Sequence, residues 1–456
     1  MAEGERREVV IVGAGAAGLA CARELAAHGV RSLLLEARDR LGGRIHTLRV
    51  PGLTLPLELG AEFVHGLPAD TMAVTERGGL ALVEVDGESW TLTDGRLQRA
   101  ERFDDDADRV LDALDADRDP DRSVAEFLAE RRERGASERA VQRARDYVMG
   151  FHAADPDCAS ERGLAREEAV GERLGGDRDF RVLDGYDRIV EQLRAEAGDL
   201  AEVRVGARVE SVAWEQGQAT VHVRGAADEA AYAVGTRAVV VTLPLGVLQR
   251  SVPFREAPGA VRFEPEPPGL RSALAGLAVG HAARVVLRFR ERFWERDDVR
   301  ATVTMGDLAH LGFVFTGHDP FRVWWTPYPV RAPVLTAWAG GPRALRLAGL
   351  GERAVTELAV AAAGRLFGVG PERLAALLVD AHSRDWSADP LALGAYSYTA
   401  VGGIGASAAL ARPVARTLFF AGEAATGDGE HGTVHAALES GARAAGEVVA
   451  CMGAAG

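Results

Sequence analysis

The sequence predicts an α/β protein of two domains, one assembled from separated stretches of chain and the other a mixed β-sheet flanked by helices. Three observations lead there. The chain opens on an apolar strand, Glu8–Val12, then a glycine turn, a helix over about Ala16–His28 and a second apolar strand, Ser32–Leu35. Strands of the same continuous apolar type, suited to a sheet covered on both faces, recur far downstream at Ala238–Val241 and Thr417–Ala421. Between these pieces lie a charged helical stretch and a run of alternating strands with helices after them. Residues 1–75, 196–255 and 384–456 are therefore assigned to the first domain, and 76–195 (a helical insertion) and 256–383 to the second.

The first turn, Gly13-Ala14-Gly15-Ala16-Ala17-Gly18, sits between strand and helix, which is the setting in which such glycines bind an ADP-containing cofactor. The first glycine allows the tight turn, the second lets a pyrophosphate approach the backbone, and the third lets helix and strand pack closely. Glu36 ends the second strand, followed by Ala37 and Arg38, and can hold the ribose hydroxyls. This unit alone leaves NAD and FAD both open.

Two further glycine segments follow, Gly42-Gly43-Arg44 and Gly60-Ala61-Glu62, the latter running to His65; both allow backbone to lie against a ligand. From about Asp104 to Gly150 acids and arginines interleave with Val, Leu and Ala at helical spacing, a helical layer with a solvated face. A helix follows Asp184-Gly185-Tyr186, and Val203–Val205, Arg208–Trp214 and Thr220–Val223 read as short strands. The first domain resumes at Ala238–Val241, which ends on Thr242-Leu243-Pro244. Proline-rich residues 251–268 read as a crossing between domains. Strands at 281–290, Arg322–Thr326 and Val334–Trp338 and helices near Glu352–Phe367 and Glu372–Val379 complete the second region. Trp324 and Trp325 are candidates for either sheet core or cavity wall. The last strand, Thr417–Ala421, leads through Gly422-Glu423 into a helix from about Thr433 to Cys451, with Val434 and Ala437 in its first turn.

Composition narrows the function. With 456 residues, 47% of them apolar, the chain can bury two cores. A net charge of -14 argues against nucleic acid or anionic membrane as partner and favours a cationic small molecule. Three separated cysteines, Cys21, Cys158 and Cys451, give neither a disulfide framework nor a zinc cluster, so no metal site is expected and a reducing compartment fits. The charged first eight residues run straight into a strand and no apolar run reaches membrane-spanning length, which predicts a cytoplasmic protein. There is no lysine and no asparagine. Any role that suits a lysine must fall to another side chain.

Taken together, these segments resemble the FAD-dependent amine oxidase family of monoamine oxidases, polyamine oxidases and lysine-specific histone demethylases, nearest to the polyamine oxidases. The resemblance rests on Val9–Gly18 with Glu36, Gly42-Gly43-Arg44, Leu59-Gly60-Ala61, Asp184-Gly185-Tyr186-Asp187, Val241–Leu248, Trp386 with Gly394-Ala395-Tyr396-Ser397, and Phe420-Ala421-Gly422-Glu423 running into Gly432-Thr433-Val434-His435. It implies a glutathione-reductase-type, Rossmann-like FAD-binding domain built from discontinuous segments, with FAD rather than a nicotinamide nucleotide as cofactor. Gly13, Gly15 and Gly18 would hold the pyrophosphate, Glu36 the adenosine ribose, and Arg38 would cover that end. Gly43 and Arg44 would follow the diphosphate; Gly60 and Ala61 would lie near the isoalloxazine, and the Val209 backbone would hold adenine. Thr242, Leu243 and Pro244 would line the nucleotide, Gly422 and Glu423 would meet phosphate and ribityl, and Thr433 and Val434 would begin a helix aimed at the flavin.

Departures from the family pattern carry their own expectations. Ala395 stands where animal monoamine oxidases carry the cysteine bonded to flavin, so the FAD is expected to be dissociable. Tyr396 matches one wall of the family's aromatic sandwich and Thr433 replaces the other. Arg284 stands where the family's lysine orients a water at flavin N5; an arginine spreads its donors in a planar fork and does not deprotonate usefully. His65 matches a substrate-side histidine of animal polyamine oxidases, and Glu62 could pair with a cationic amine. The implied reaction takes a hydride equivalent from a polyamine or other aliphatic amine, gives an imine and then an aldehyde, and reduces O2 to hydrogen peroxide. An aromatic monoamine oxidase, a desaturase or protoporphyrinogen-type FAD oxidase, and a flavin-binding scaffold without turnover are the alternatives. Oligomeric state is not read from the sequence.

Overall fold

The computed structural model describes residues 5–100, 105–176, 178–225, 230–304, 306–427 and 430–453. Residues 1–4 and Asp104, the expected start of the helical stretch, lie outside the described residues. The fold is α/β, built around two sheets with helices against them.

The first sheet runs Ala201–Arg204, Ser32–Leu35, Glu5–Val12, Tyr232–Val241, Gln218–Arg224, Arg208–Glu215 and Arg262–Glu264, with Leu418–Phe420 added beside the end of Tyr232–Val241. Its first four strands are parallel, with Val9 opposite Ser32 and Ala238. The strand Tyr232–Val241 serves two partners: its first half pairs antiparallel with Gln218–Arg224, its end parallel with Leu418–Phe420. Ala238–Val241 is apolar on both faces because Ala238 and Val240 enter the core on one side of the sheet and Val239 and Val241 the core on the other. Helices Ala16–Ala27, Asp187–Ala197 and Val434–Gly453 bury Leu19, Leu25, Ile189, Leu193 and Ala444 against one face.

The second sheet runs Leu378–Asp385, Ala282–Phe289, Val334–Gly340, Val323–Trp325, Leu311–Phe315, Glu88–Thr93 and Arg96–Ala100. One face rests on Phe293 and Trp294 from the turn Phe293–Glu295 and on Leu366 and Phe367 from the helix Glu352–Phe367. A helical layer of Val124–Glu133, Glu138–Gly150 and Glu161–Arg173 has its own core of Phe127, Ala144 and Val148, closed by Tyr398. All three helices start on a serine: Ser123, Ser137 and Ser160 accept the N–H of Glu126, Ala140 and Gly163.

Several segments differ from the expectations above. The proline-rich stretch 251–268 contains the strand Arg262–Glu264, parallel to Arg208–Glu215 in the first sheet, because Val261 and Phe263 alternate into that core. Within 76–195, expected to be helical and to belong to the second region, Asp187–Ala197 packs on Ala16–Ala27 in the core of the first sheet. The same stretch holds the hairpin Glu88–Thr93/Arg96–Ala100. Its turn residues Asp94 and Gly95 both have positive φ, 51° and 74°, the Asp-Gly signal of a two-residue hairpin. The helix expected over Glu372–Val379 ends at Leu377, and Leu378–Asp385 becomes an edge strand whose Asp380, His382 and Arg384 hide its character.

Candidate active site

One cavity of about 1730 Å³ runs between the two sheets and the helical layer. Its nucleotide end is built by the first turn. Gly13, at φ 102°, closes the strand and donates its N–H to Leu35 O at 2.8 Å. The Glu36 carboxylate, buried, accepts from the N–H of Ala14 at 2.8 Å and of Arg38 at 2.9 Å, which fixes it beside the turn. Gly15 caps the helix Ala16–Ala27 without a side-chain partner, so the first-turn N–H groups remain an anion site. A Cβ on Gly15 would meet only Gly42 O, at 3.9 Å, and one on Gly422, at φ 134°, would meet nothing within 4 Å. Bare backbone faces the cavity at both places, as a bound diphosphate requires.

Gly13, Gly15, Ala16, Ala17, Glu36, Ala37, Arg38, Gly42, Gly43 and Arg44 all line this end, with Val209, Thr242, Leu243, Pro244 and Trp386 around it. Gly18 does not. A Cβ there would fall 2.1 Å from Gly13 O, so Gly18 is the packing glycine under the turn and holds no ligand itself. Val209 sits where the pairing of Arg208–Glu215 with Gln218–Arg224 slips. The Thr242 hydroxyl donates to Val12 O at 2.9 Å and braces the turn from below. Arg38 is held bidentate by Asp389, at 3.0 and 2.9 Å, and Trp386 donates its indole N–H to Leu59 O at 2.9 Å.

Further along, Glu423 is saturated. It accepts from Arg44 at 2.9 Å, from the Ser397 N–H and hydroxyl at 3.1 and 2.6 Å, and from the Gly432 N–H at 3.1 Å. Burial would raise its carboxyl, but the Arg44 charge and the Ser397 hydrogen bond together hold it below the usual range. Its role is to tie three segments together; it does not stand free to meet a ribityl chain. Arg44 makes that contact through Nη1, which also donates to Ala395 O at 2.5 Å.

The far end of this wall carries Tyr396 and Thr433. Gly432, at φ 81°, lies so that a Cβ would be 3.5 Å from the Tyr396 ring, and the Thr433 hydroxyl caps the helix Val434–Gly453 by accepting the Ala436 N–H at 3.2 Å. Tyr396 donates its hydroxyl to Phe151 O at 2.6 Å, and burial pushes its ionisation above the ordinary phenol range, with Arg284 opposing. Gly60, Ala61, Val434 and Ala437 complete the lining here, and Ala395, a buried alanine, precedes Tyr396.

Arg284 reaches the cavity from the strand Ala282–Phe289, but most of its donors are spoken for. One terminal nitrogen donates to Glu58 O at 3.0 Å and Gly60 O at 2.7 Å; the other lies 3.2 Å from the Glu62 carboxylate. Trp325 and Trp338 stack on its guanidinium at 5.2 and 5.5 Å. Its Nε is buried without a partner. Burial draws Arg284 below its ordinary value and Glu62 draws it back. Glu62 in turn accepts from Arg181 at 2.7 Å and from the Trp325 indole at 3.1 Å, so its carboxylate is already neutralised and is not a free partner for a cationic amine. Trp325 is cavity wall and Trp324 is sheet core.

His65 lines the cavity beside Phe63 and Phe151, with Nδ1 2.6 Å from Asp179. His435 stands on the same cavity, and burial, aided by the proximity of His65, pulls it down to about 4. Sequence reasoning missed Asp179, Arg181 and Phe151. It also missed a cluster on the cavity wall: His152, Glu167, Glu168 and His431. Their sequence separation leaves no short-range signal that they meet.

The description of the family model that the chain matches is flavin containing amine oxidoreductase, with residues 16–449 matched. The chain is similar to polyamine oxidase 4 of Oryza sativa subsp. japonica, 29% identical over 468 residues, covering 96% of this chain and 88% of the relative. Its fold is similar to that of a wild-type putrescine oxidase bound to putrescine, with a TM-score of 0.77, 21% identity, and 98% and 99% of the two chains covered. A cyclohexylamine oxidase from Brevibacterium oxydans IH-35A gives a TM-score of 0.76 at 21% identity, with 98% and 100% covered. No helix among the described residues is long and apolar enough to cross a membrane. A cradle for an ADP moiety at one end of the cavity and a family that uses flavin leave a single cofactor that contains both: the chain belongs to the flavin-containing amine oxidoreductases, and its cofactor is FAD.

Proposed function

We propose that the protein oxidises a polyamine or another aliphatic amine and passes the electrons to O2, giving hydrogen peroxide. The length of the cavity carries this reading. Pockets for one drug-sized ligand run about 300–1,000 Å³, whereas this cavity, of about 1730 Å³, continues from the nucleotide cradle past Tyr396 and Thr433 to Tyr147, Phe151 and Glu168. That is room for the cofactor and an elongated amine together. The net charge of -14 and the similarity to a polyamine oxidase support a cationic, aliphatic substrate.

FAD supplies the hydride acceptor when bound. Gly13, Gly15, Ala16, Ala17, Gly43 and Arg44 would hold its diphosphate, Glu36 its ribose, and the Val209 backbone its adenine, while Thr242 to Pro244 and Gly422 line the groove between. The substrate side falls to this chain's own residues. An alkylammonium has a pKa of about 10, so the reacting nitrogen must shed a proton before a hydride can leave its α-carbon. With Nδ1–H donating to Asp179, a neutral His65 keeps an Nε2 lone pair with which to accept a hydrogen from the amine. Tyr396 and Thr433 would flank the amine, and Arg284, with Nε its unpaired donor, would hold the Gly60–Glu62 segment in place. In this reading the two sheets with their covering helices are the cofactor and substrate domains.

The test is peroxide release from FAD-loaded protein with spermine, spermidine, acetylated polyamines, putrescine, phenylethylamine and hydrophobic desaturase substrates. Release is expected with the aliphatic amines; silence across all the amines from a flavin-loaded protein overturns the reading. Acid precipitation of the same sample is expected to leave flavin in the supernatant, because Ala395 offers no thiol. Flavin retained in the pellet contradicts that.

A further inference from the structure

A cluster on the cavity wall is built from four side chains whose donors and acceptors all match when both glutamates are ionised and both rings carry two protons. His152 has a carboxylate on each ring nitrogen: Nδ1 is 3.0 Å from Glu167 and Nε2 is 2.7 Å from Glu168. His431 has Nε2 3.0 Å from the other oxygen of Glu167 and 2.9 Å from the Thr399 hydroxyl, and Nδ1 3.3 Å from Ser397 O. An ionised carboxylate and a carbonyl only accept, so with both glutamates ionised each ring carries both protons; a neutral ring would then set a lone pair against one of them. Glu167 therefore bridges two imidazolium ions in a buried site.

Each imidazolium is joined to one wall of the proposed amine site. His431 precedes Gly432 and Thr433, and its Nδ1 holds Ser397, the neighbour of Tyr396. His152 follows Phe151, whose carbonyl accepts the Tyr396 hydroxyl at 2.6 Å. The helix Glu161–Arg173 that carries Glu167 is pressed into place: Ser160 caps it, and at Gly163 a Cβ would be 2.6 Å from the Thr399 Cβ.

We propose that Glu167 is a positioning residue that fixes the separation of Tyr396 and Thr433, acting through His152 and His431. It rests on the reading that these two side chains flank the reacting amine. The titratable groups facing the cluster are Glu168, Tyr147 with its hydroxyl 3.2 Å from Glu168, Asp108 near Tyr147, and Glu423 near His431. The electrostatics agree with the geometry. Burial would lower His152, but its hydrogen bonds to the two glutamates push it up to about 10; burial would raise Glu167, but the His431 charge and the His152 hydrogen bond hold it at about 2. His431 is raised for the same reason, against its burial, by Glu167. In the folded protein the bridge then stands across the neutral range, and is lost on the alkaline side as the imidazoles deprotonate and on the acid side as Glu167 protonates. Its contribution to stability is complete only between the ordinary carboxyl value of 4.5 and the ordinary imidazole value of 6.5; it declines as pH rises toward about 10 and as pH falls toward about 2.

The test has two arms. In FAD-loaded wild-type protein labelled with 15N-histidine, two imidazoles assigned by His152→Gln and His431→Gln are expected to be doubly protonated at pH 8 by NMR; either ring neutral there overturns the proposal. This arm needs no turnover, so it is independent of whether an amine is oxidised. In Glu167→Gln, kcat with the best amine is expected to fall at least ten-fold with flavin content retained, and its alkaline limb to move toward the pKa of an ordinary imidazole. Glu167→Asp is expected to recover part of the loss. A Glu167→Gln protein with wild-type kcat and pH profile overturns the proposal.

Discussion

Arg284 sets this site apart from one served by a lysine. A lysine ammonium is a compact, mobile point charge, whereas this guanidinium lies against a pair of touching indoles and is bound to two carbonyls and a carboxylate. Replacing it with methionine removes one of the two arginines that neutralise Glu62. Stranding a buried charge costs about 3–5 kcal/mol; Arg181 and Trp325 remain on Glu62, so a smaller loss is expected for Arg284→Met. With the Gly60–Glu62 segment loosened, stopped-flow measurement is expected to show flavin reduction or reoxidation slowed at least ten-fold. Unchanged rates in both directions would remove Arg284 from the chemistry. At this scale the sequence was legible where a residue acts through backbone or local spacing, as at Gly15, Glu36 and Thr433. It was silent on what a charged side chain faces. Glu62 and Glu423 looked available for ligands, and both turn out to be neutralised by partners more than a hundred positions away.

Among the elements, the strand–turn–helix at the start was readable because its motif encodes contacts within a few residues. Gly18 shows the limit. It belongs to the motif, yet its place is set by the 2.1 Å that a Cβ would leave to Gly13 O, and two backbones cannot give way as a flexible side chain can. Overpacking of this kind costs about 1–3 kcal/mol or more, and the helix can relieve it only by moving off the turn. Gly18→Ala is therefore expected to lower the melting temperature and to lose FAD on desalting, while a variant that keeps full flavin content would show that the turn tolerates the shift. The missed elements are those whose pairing is non-local. Leu378–Asp385 is half-exposed and polar, and only its register with Ala282–Phe289 makes it a strand. Arg262–Glu264 is three residues long among prolines, and only Val261 and Phe263 in the core reveal it. The hairpin at Asp94-Gly95 did carry a local signal, a two-residue turn with both φ positive.

For the whole molecule, two sheets and a helical layer share one cavity, and the chain returns to it repeatedly: at Gly13, Glu36, Gly60, Thr242, Arg284, Tyr396 and Thr433. No single segment holds the site, so its assembly requires the entire fold. The cofactor end was legible from sequence because glycine turns and a strand-end acid are local signatures of a nucleotide. The wall formed by His152, Glu167, Glu168 and His431 was not, because the 15 positions that separate His152 from Glu167 carry no motif and His431 comes from a segment far down the chain. The central claim is that an aliphatic amine, bound beside Tyr396 and Thr433, delivers its electrons to FAD. Anaerobic addition of spermidine or putrescine to the FAD-loaded protein tests it most directly. Bleaching of the visible flavin band, reversed on admitting O2, is the predicted result; a band unchanged by every aliphatic amine, with FAD still bound, would contradict the account.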